Sequence, residues 1–334
     1  MPDIHLTMAM SEADHVVDIM SGRLKPEGIS LTCLNLEIEE VFYRFVKYRE
    51  WDISEMSMGK YVSLVSQNDH LTEQGIIALP VFISRVFRHA SFFVRRDGPV
   101  RSPADLKGRR IGIPEWAQTA AVYSRGLIQH EWGIDLASIE WVQAGVNQPG
   151  RVEKVALKLP HGIKLTPRPD SSLSAMLKSG EIDVAMCARP PDCFVVERDP
   201  NIGRLFPDYV EVETDYYKKT GIFPIMHVVA MKRALLDKYP WMAMNLMHMF
   251  EEAKRRSIER ARDATAARYP MPWHWTHADR TEKIFGPDFW PYGVEANRTT
   301  LQAFVDWAHE QGVCHRPVTL DELFPRQLAT RFKV

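Results

Sequence analysis

The segment SPADLKGRRIGIPEWAQTAAVYSRG, residues 102–126, decides how the chain is read. Residues 103–106 have the pattern of a short helical turn, Gly108 marks a small-residue turn, residues 110–113 a buried strand and residues 114–116 a loop. A helix then opens near Gln118 and Thr119. A strand that passes through a loop into a helix leaves unpaired backbone N–H groups and a partial positive charge facing outward, which suits an anion. Gln118 and Thr119 add side-chain donors, and Arg125, two turns into the helix, adds a positive partner; the alternative for Thr119 is a plain helix cap.

The same strand-to-helix unit recurs on the N-terminal side. Residues 4–9 are predicted as a strand, and helical spacing through Val16, Val17 and Met20 stops at Gly22. Asp14 and His15 therefore fall just beyond the strand's C-terminal end, where open α/β sheets bind ligands, unless they only cap and cover the helix. A strand over 29–36 leads to a helix from about 39 to 49, and a strand over 52–56 leads to a helix opening at 57–60. Glu55 and Ser57 stand at the lip of that second helix. Residues 75–83 and 87–94 are two further apolar strands, with Arg85, Arg88 and His89 crowded between and into them. A half-buried cation there needs an anionic partner, from the protein or from a ligand carboxylate. A period of two puts His89 and Arg88 on opposite faces.

The polar, Pro- and Gly-bearing DGPVRSP is the first crossing into a second lobe, and 190–207 carry the chain back. Lobe one is thus expected over 1–96 and 206–334, lobe two over 97–205, with hinge motion at 94–97 and 204–207. Lobe two also holds a strand at 139–142, a helix at 173–180 and a strand at 182–188 that ends on Arg189, a cation for the ligand edge or for an interlobe salt bridge. A strand at 225–231 carries His227 at its start, after Pro224. The remainder is mostly helical, with aromatic loops at MPWHWTH and FGPDFWPYGVEANRTT and a helix over 301–311 ended by Gly312. These aromatic loops and C-terminal helices can cover lobe one or a neighbouring subunit, so a homo-oligomer is an open expectation.

Composition excludes several classes. A net charge of −1 over 334 residues, with no basic stripe, argues against nucleic-acid binding. No apolar run approaches the roughly 18 residues that cross a bilayer. The N-terminus lacks a cationic stretch followed by an apolar one, and Cys33, Cys187, Cys193 and Cys314 show no CxxC spacing, so a reduced, cytoplasmic protein is expected. No GxGxxG loop, GxSxG elbow, HxH or HExxH spacing is present, and His274 and His277 in WHWTH sit in a packed aromatic context, so no metal is assigned; a divalent ion on which Asp14, His15, Glu55, His89 and His227 converge is the open alternative.

A βαβα lobe, an inserted α/β lobe and a return by two crossings describe the two-lobed type 2 periplasmic-binding-protein-like fold, an α/β architecture with an interlobe cleft. The strings REWDISEMSMGKYV, ALPVFISRVFRHASFFVR, GEIDVAMCARPP, RLFPD, YYKKTGIFPIMH and DFWPYGVEANRTTL, with residues 102–126, together resemble the 4,5-dihydroxyphthalate decarboxylase family over about 6–324. The resemblance implies non-oxidative loss of CO2 from a dihydroxylated aromatic dicarboxylate, giving a dihydroxybenzoate such as protocatechuate, without an organic cofactor. Such chemistry needs a general acid for carbon, a group at the hydroxyls and cations for carboxylates. Asp14 with His15, His89 and His227 are the candidates for proton handling. Arg85, Arg125 and Arg189, with Ser57 and the Gln118–Thr119 helix terminus, are candidates for substrate binding; Glu55 and Glu115 suit the catechol hydroxyls. A solute-binding protein that captures an aromatic acid unchanged is the alternative, although a purely binding cleft has little use for several titratable groups.

Overall fold

The computed structural model describes residues 2–266 and 268–328. Among the described residues, eleven strands form two sheets. The first contains β1 (Ile4–Met10), β2 (Ile29–Asn35), β3 (Ile53–Ser57), β4 (Ile76–Arg85) and β11 (Ile225–Lys232), in the order β2-β1-β3-β11-β4. Its central strands are covered on both faces: all five residues of β3 are buried, the polar Ser54, Glu55 and Ser57 included, as expected for strands with helices on either side. The second contains β5 (Phe92–Arg95), β6 (Arg110–Ile113), β7 (Glu140–Gly145), β8 (Lys164–Ser172), β9 (Val184–Met186) and β10 (Ile202–Arg204), in the order β10-β5-β9-β6-β7-β8.

Each sheet is mostly parallel, with antiparallel strands where the chain arrives from the other lobe. In the first, β11 lies antiparallel between β3 and β4; in the second, β5 pairs antiparallel with both β9 and β10. This is the two-lobed, two-crossing architecture expected from the sequence. The first crossing differs from the expected one. Phe92, Phe93 and Val94 pair with Met186, Ala185 and Val184 of the second sheet, so the chain changes lobes at 86–91, through a 3-10 turn at His89–Ser91. DGPVRSP is a surface loop within lobe two, and the second sheet runs from residue 92 to 204 rather than beginning after 96. Strand β8 went unread because Pro167 and Pro169 interrupt its pattern; it survives as an edge strand, where a missing N–H can face outward. WHWTH is also not a loop throughout: a helix starts at His274 and runs to Phe285, after a left-handed turn at Trp273.

The helix Thr119–Gly126 is buried along its whole length. Although it follows β6 of lobe two, it is gripped by the first lobe. Thr119 Oγ1 accepts a hydrogen bond from Gly59 N and lies 2.9 Å from Ser57 Oγ. Tyr123 Oη accepts from Ile225 N at 3.1 Å, and Arg125 donates to Gln311 Oε1 at 2.8 Å. Two glycines permit the approach. A Cβ at Gly59 would stand 2.5 Å from Ala117 O, and one at Gly126 would stand 2.2 Å from the Trp307 ring. No helix among the described residues is long and apolar enough to cross a membrane. All four cysteines are free thiols.

Replacing Gly126 by Val forces the Trp307 indole out of its place. The expected cost is about 1–3 kcal/mol of stability, read as a lower denaturant midpoint. An unchanged midpoint contradicts this packing.

Candidate active site

The C-terminal end of β3, the start of β11 and the first turn of the helix Met58–Ser66 form one wall of an interlobe cleft of about 280 Å³. The loop before Thr119, the 151–154 segment and the residues after β9 form the other. A larger recess of about 550 Å³ opens around Ile77 and Arg233, at the opposite end of β4 from the cleft, away from the sheet edge where βα units present ligands.

His227 and Glu55 meet on adjacent strands. His227 pairs with Ser57 across β11 and β3, and its pairing with β4 is irregular on both sides, a bulge that turns the imidazole toward the cleft. Its Nδ1 lies 2.6 Å from Glu55 Oε1, and its ring packs edge-on against Phe42. Glu55 is buried, and its other oxygen accepts from Ser11 N at 2.9 Å and Ser11 Oγ at 2.6 Å. Burial alone would push this carboxyl up. The His227 bond and charge and the two Ser11 bonds outweigh it and hold Glu55 below its ordinary 4.5. An ionised Glu55 can only accept, so the Nδ1 proton points at it and Nε2 is left for a ligand.

The rest of the cleft is cationic. Lys60, Arg88, Arg151, Lys154 and Arg189 line it, against the carboxylates of Glu39 and Glu115. Glu115 is fully buried and gathers three of these: Arg151 donates to Oε1 from Nε at 2.6 Å and from Nη2 at 2.5 Å, Lys154 Nζ stands 3.5 Å from the same oxygen, and Lys60 Nζ stands 3.5 Å from Oε2. Burial pushes the Lys60 ammonium below its ordinary value, Glu115 opposes this, and Lys154 and Arg151 add to it. Arg88 is buried against Met226 Sδ, with no hydrogen-bond partner for its Nε. Burial brings its pKa down to about 10, which still leaves a cation at neutral pH with unused donors beside His227. Gln118 Oε1 is likewise buried and without a partner. Such a site attracts an anion with more than one negative charge.

Ser57, Glu115, Gln118, Thr119, Arg189 and His227 line the cleft as the sequence led us to expect, with Glu55 behind His227. Thr119 does not cap its helix; its hydroxyl is spent across the lobes. Arg189 takes its alternative role, pairing with Glu39 of lobe one at 3.0 Å over the mouth. Five other candidates lie away from the cleft. Asp14 is tied to Arg260 at 3.0 Å and to Ser257 at 2.6 Å on the helix Met242–Arg262, and His15 is half-buried against Trp290. Arg85 faces the 291–297 turn, donating to Asn297 Oδ1 and Pro291 O. Arg125 lies over the Trp116 ring at 3.8 Å in the core. His89 sits among Trp132, Phe206 and Tyr216, where burial lowers its pKa to about 4.

The residues that sequence reasoning missed are Ser11, Lys60, Arg151 and Lys154; Arg88 is marked there only as a cation in need of an anionic partner, without a place in the cleft. Lys60 left one signal: a cation in the first turn of a helix opposes the helix dipole, so another demand must hold it there. Arg151 and Lys154 lie in an irregular stretch with no periodicity to mark them. Among the described residues, no group of three or more His, Cys, Asp or Glu converges to hold a metal.

The two sheets and the cleft between them define a two-lobed, type 2 periplasmic-binding-protein-like fold. Among solved structures, the chain is similar to the aliphatic sulphonate binding protein SsuA from Escherichia coli, at 11% identity and a TM-score of 0.55 over 98% of this chain and 99% of that one. It is also similar to the desulfurization enzyme DSZB, at 17% identity and a TM-score of 0.52 over 97% of each chain. A family model described as NMT1/THI5 like matches residues 64–152. A 4,5-dihydroxyphthalate decarboxylase from Comamonas testosteroni is 33% identical over 335 residues, covering 100% of both chains. One from Pseudomonas putida is 33% identical over 219 residues, covering 65% of this chain and 83% of that one. The chain belongs to the 4,5-dihydroxyphthalate decarboxylase family, a family of carboxy-lyases.

The crossing beside the cleft carries a pH-dependent contact. Glu213 Oε1 accepts from Ala90 N at 3.2 Å and lies 3.9 Å from His89 Nδ1. Burial raises the Glu213 carboxyl to about 7, against the opposing pull of its backbone bonds and of Arg88 and Arg204. A carboxyl raised in the folded state gives stability that is full below the ordinary 4.5 and lost as pH rises through about 7. Thermal melts should therefore show Glu213→Gln gaining on the wild type between pH 5 and pH 8. A difference that stays constant with pH contradicts the assignment.

Proposed function

We propose that this protein converts 4,5-dihydroxyphthalate to 3,4-dihydroxybenzoate and CO2 in the interlobe cleft. The observation that carries the reading is a carboxylate-backed imidazole, His227 on Glu55 at 2.6 Å, facing a cleft that holds five cationic side chains and two carboxylates. The vicinal carboxylates of the substrate match the cationic side, with Arg88 and the Glu115 cluster as their partners. Lys60 and Arg88 are buried, so their attraction is less screened than that of a surface cation.

His227 Nε2 then takes the proton of the hydroxyl para to the departing carboxylate. The oxygen's electron pair moves into the ring, the carbon bearing that carboxylate accepts a proton, and the C–C bond breaks with its electrons returning to the ring as CO2 leaves. The hydroxyl regains its proton from the imidazolium, which Glu55 stabilises throughout. His227 thus handles the proton of the hydroxyl, and the proton at carbon comes from a second group. A cleft that only captured an aromatic acid has no need of a buried glutamate holding one histidine tautomer, and this favours catalysis over capture.

Chelator-treated protein incubated with 4,5-dihydroxyphthalate should release CO2 and 3,4-dihydroxybenzoate. Glu55→Gln and His227→Ala should each lower kcat by roughly 10²–10⁴-fold with KM little changed. Substrate that binds and stays intact, or variants that turn over at the wild-type rate, would count against the reading.

A further inference from the structure

The proposed decarboxylation consumes one proton at carbon, and the acid that supplies it is a separate question from the group at the hydroxyl. The hydroxyl and the carboxylate it expels are para to each other, on opposite edges of the ring. A single imidazole at the hydroxyl is badly placed to serve the far carbon. A second proton donor must therefore stand on the carboxylate side, close to a negative charge and shielded from water.

The cleft offers few candidates. Arg88, Arg151 and Arg189 are guanidinium groups, which hold their protons too firmly to act as acids near neutrality, Arg88 included at about 10. Lys154 belongs to an irregular segment, and its side chain is 28% exposed. Lys60 is 8% exposed on its side chain and sits on a helix fixed at its start by the Gly59–Thr119 bond. It lies one helical turn beyond Ser57, the β3 partner of His227, so both groups project from the same wall. Its nearest partner is Glu115 Oε2 at 3.5 Å, an oxygen with no closer hydrogen-bonding group.

We propose that Lys60 is the general acid that protonates the ring carbon, with Glu115 positioning its ammonium. The inference rests on the decarboxylase reading above. The Lys60 ammonium gives one proton to the carbon bearing the departing carboxylate, and a C–H bond forms. The C–C bond breaks, CO2 departs, and the electron pair rejoins the ring. Neutral Lys60 then takes a proton from water, so one proton is consumed per turnover.

The surroundings suit an acid that must both bind a proton and release it. Burial, the helix N-terminus and the positive charges of Arg151 and Lys154 favour loss of the proton, while Glu115 and, more weakly, Glu153 favour its retention. This explains how a lysine can hold a place in the first turn of a helix, where its charge opposes the dipole.

The test compares Lys60→Arg, which keeps the charge but not the acidity, with the wild type for kcat and for binding of phthalate, an unreactive dicarboxylate. The expected result is a roughly 10²–10⁴-fold loss of kcat with phthalate affinity nearly kept. Lys60→Cys alkylated with 2-bromoethylamine restores an amine of lower pKa. It should regain turnover with the alkaline limb of its kcat profile moved to lower pH, a shift that a merely structural lysine would not produce. Wild-type kcat in Lys60→Arg, or an alkaline limb that does not move on rescue, overturns the proposal while leaving the decarboxylase reading intact. Absence of turnover in the wild type overturns both.

Discussion

The burial of one lobe-two helix inside the grip of lobe one is the constraint on which this structure depends. Thr119–Gly126 follows the lobe-two strand β6, yet its threonine, tyrosine and arginine are all bound by residues outside that lobe. Because Gly59 and Gly126 lack side chains, the backbones close up and two helix starts face each other at the base of the cleft. Ser57 and Lys60 then come from one lobe, Glu115, Gln118 and Thr119 from the other. A cleft assembled this way presents partial positive charge from both walls before any side-chain cation is counted.

Charge in the cleft is arranged around two buried carboxylates with different duties. Glu55 has its lone pairs occupied by His227 and Ser11, so it fixes a tautomer and stays ionised. Glu115 is surrounded by Arg151, Lys154 and Lys60. It makes the crowding of three like charges, one of them the buried Lys60 ammonium, tolerable and leaves the cluster positive for a dianionic ligand. Removing Glu115 would leave the buried Lys60 ammonium uncompensated, a costlier loss than that of a surface pair.

Much of this was legible in the sequence. The alternation of apolar strands and helix starts gave both lobes, and residues 102–126 were placed element by element. His227, Glu55, Glu115, Gln118 and Thr119 were found because they stand at strand ends or helix starts, positions that topology directs to the ligand edge. The stretch 84–95 misled for a physical reason. It mixes apolar residues with two arginines and a histidine in five positions, and period two cannot say which lobe pairs with a strand. Arg88 and His89 do face different surroundings, but the cation took the cleft and the imidazole took the aromatic interior. Arg125 looked like a ligand for an anion; the Trp116 ring and the Gln311 amide claim it, contacts that only the tertiary fold creates. Arg151 and Lys154 had no local pattern at all, because they are placed by Glu115.

The measurement that bears most directly on this account is a crystal structure of the His227→Ala protein, in which turnover is suppressed, with 4,5-dihydroxyphthalate bound. The account predicts the ring in the interlobe cleft, its carboxylates toward Arg88 and Lys60, and a hydroxyl facing the space left by the imidazole. A ligand seated in another recess, or one with its hydroxyls against the cations and its carboxylates toward residue 227, would contradict it.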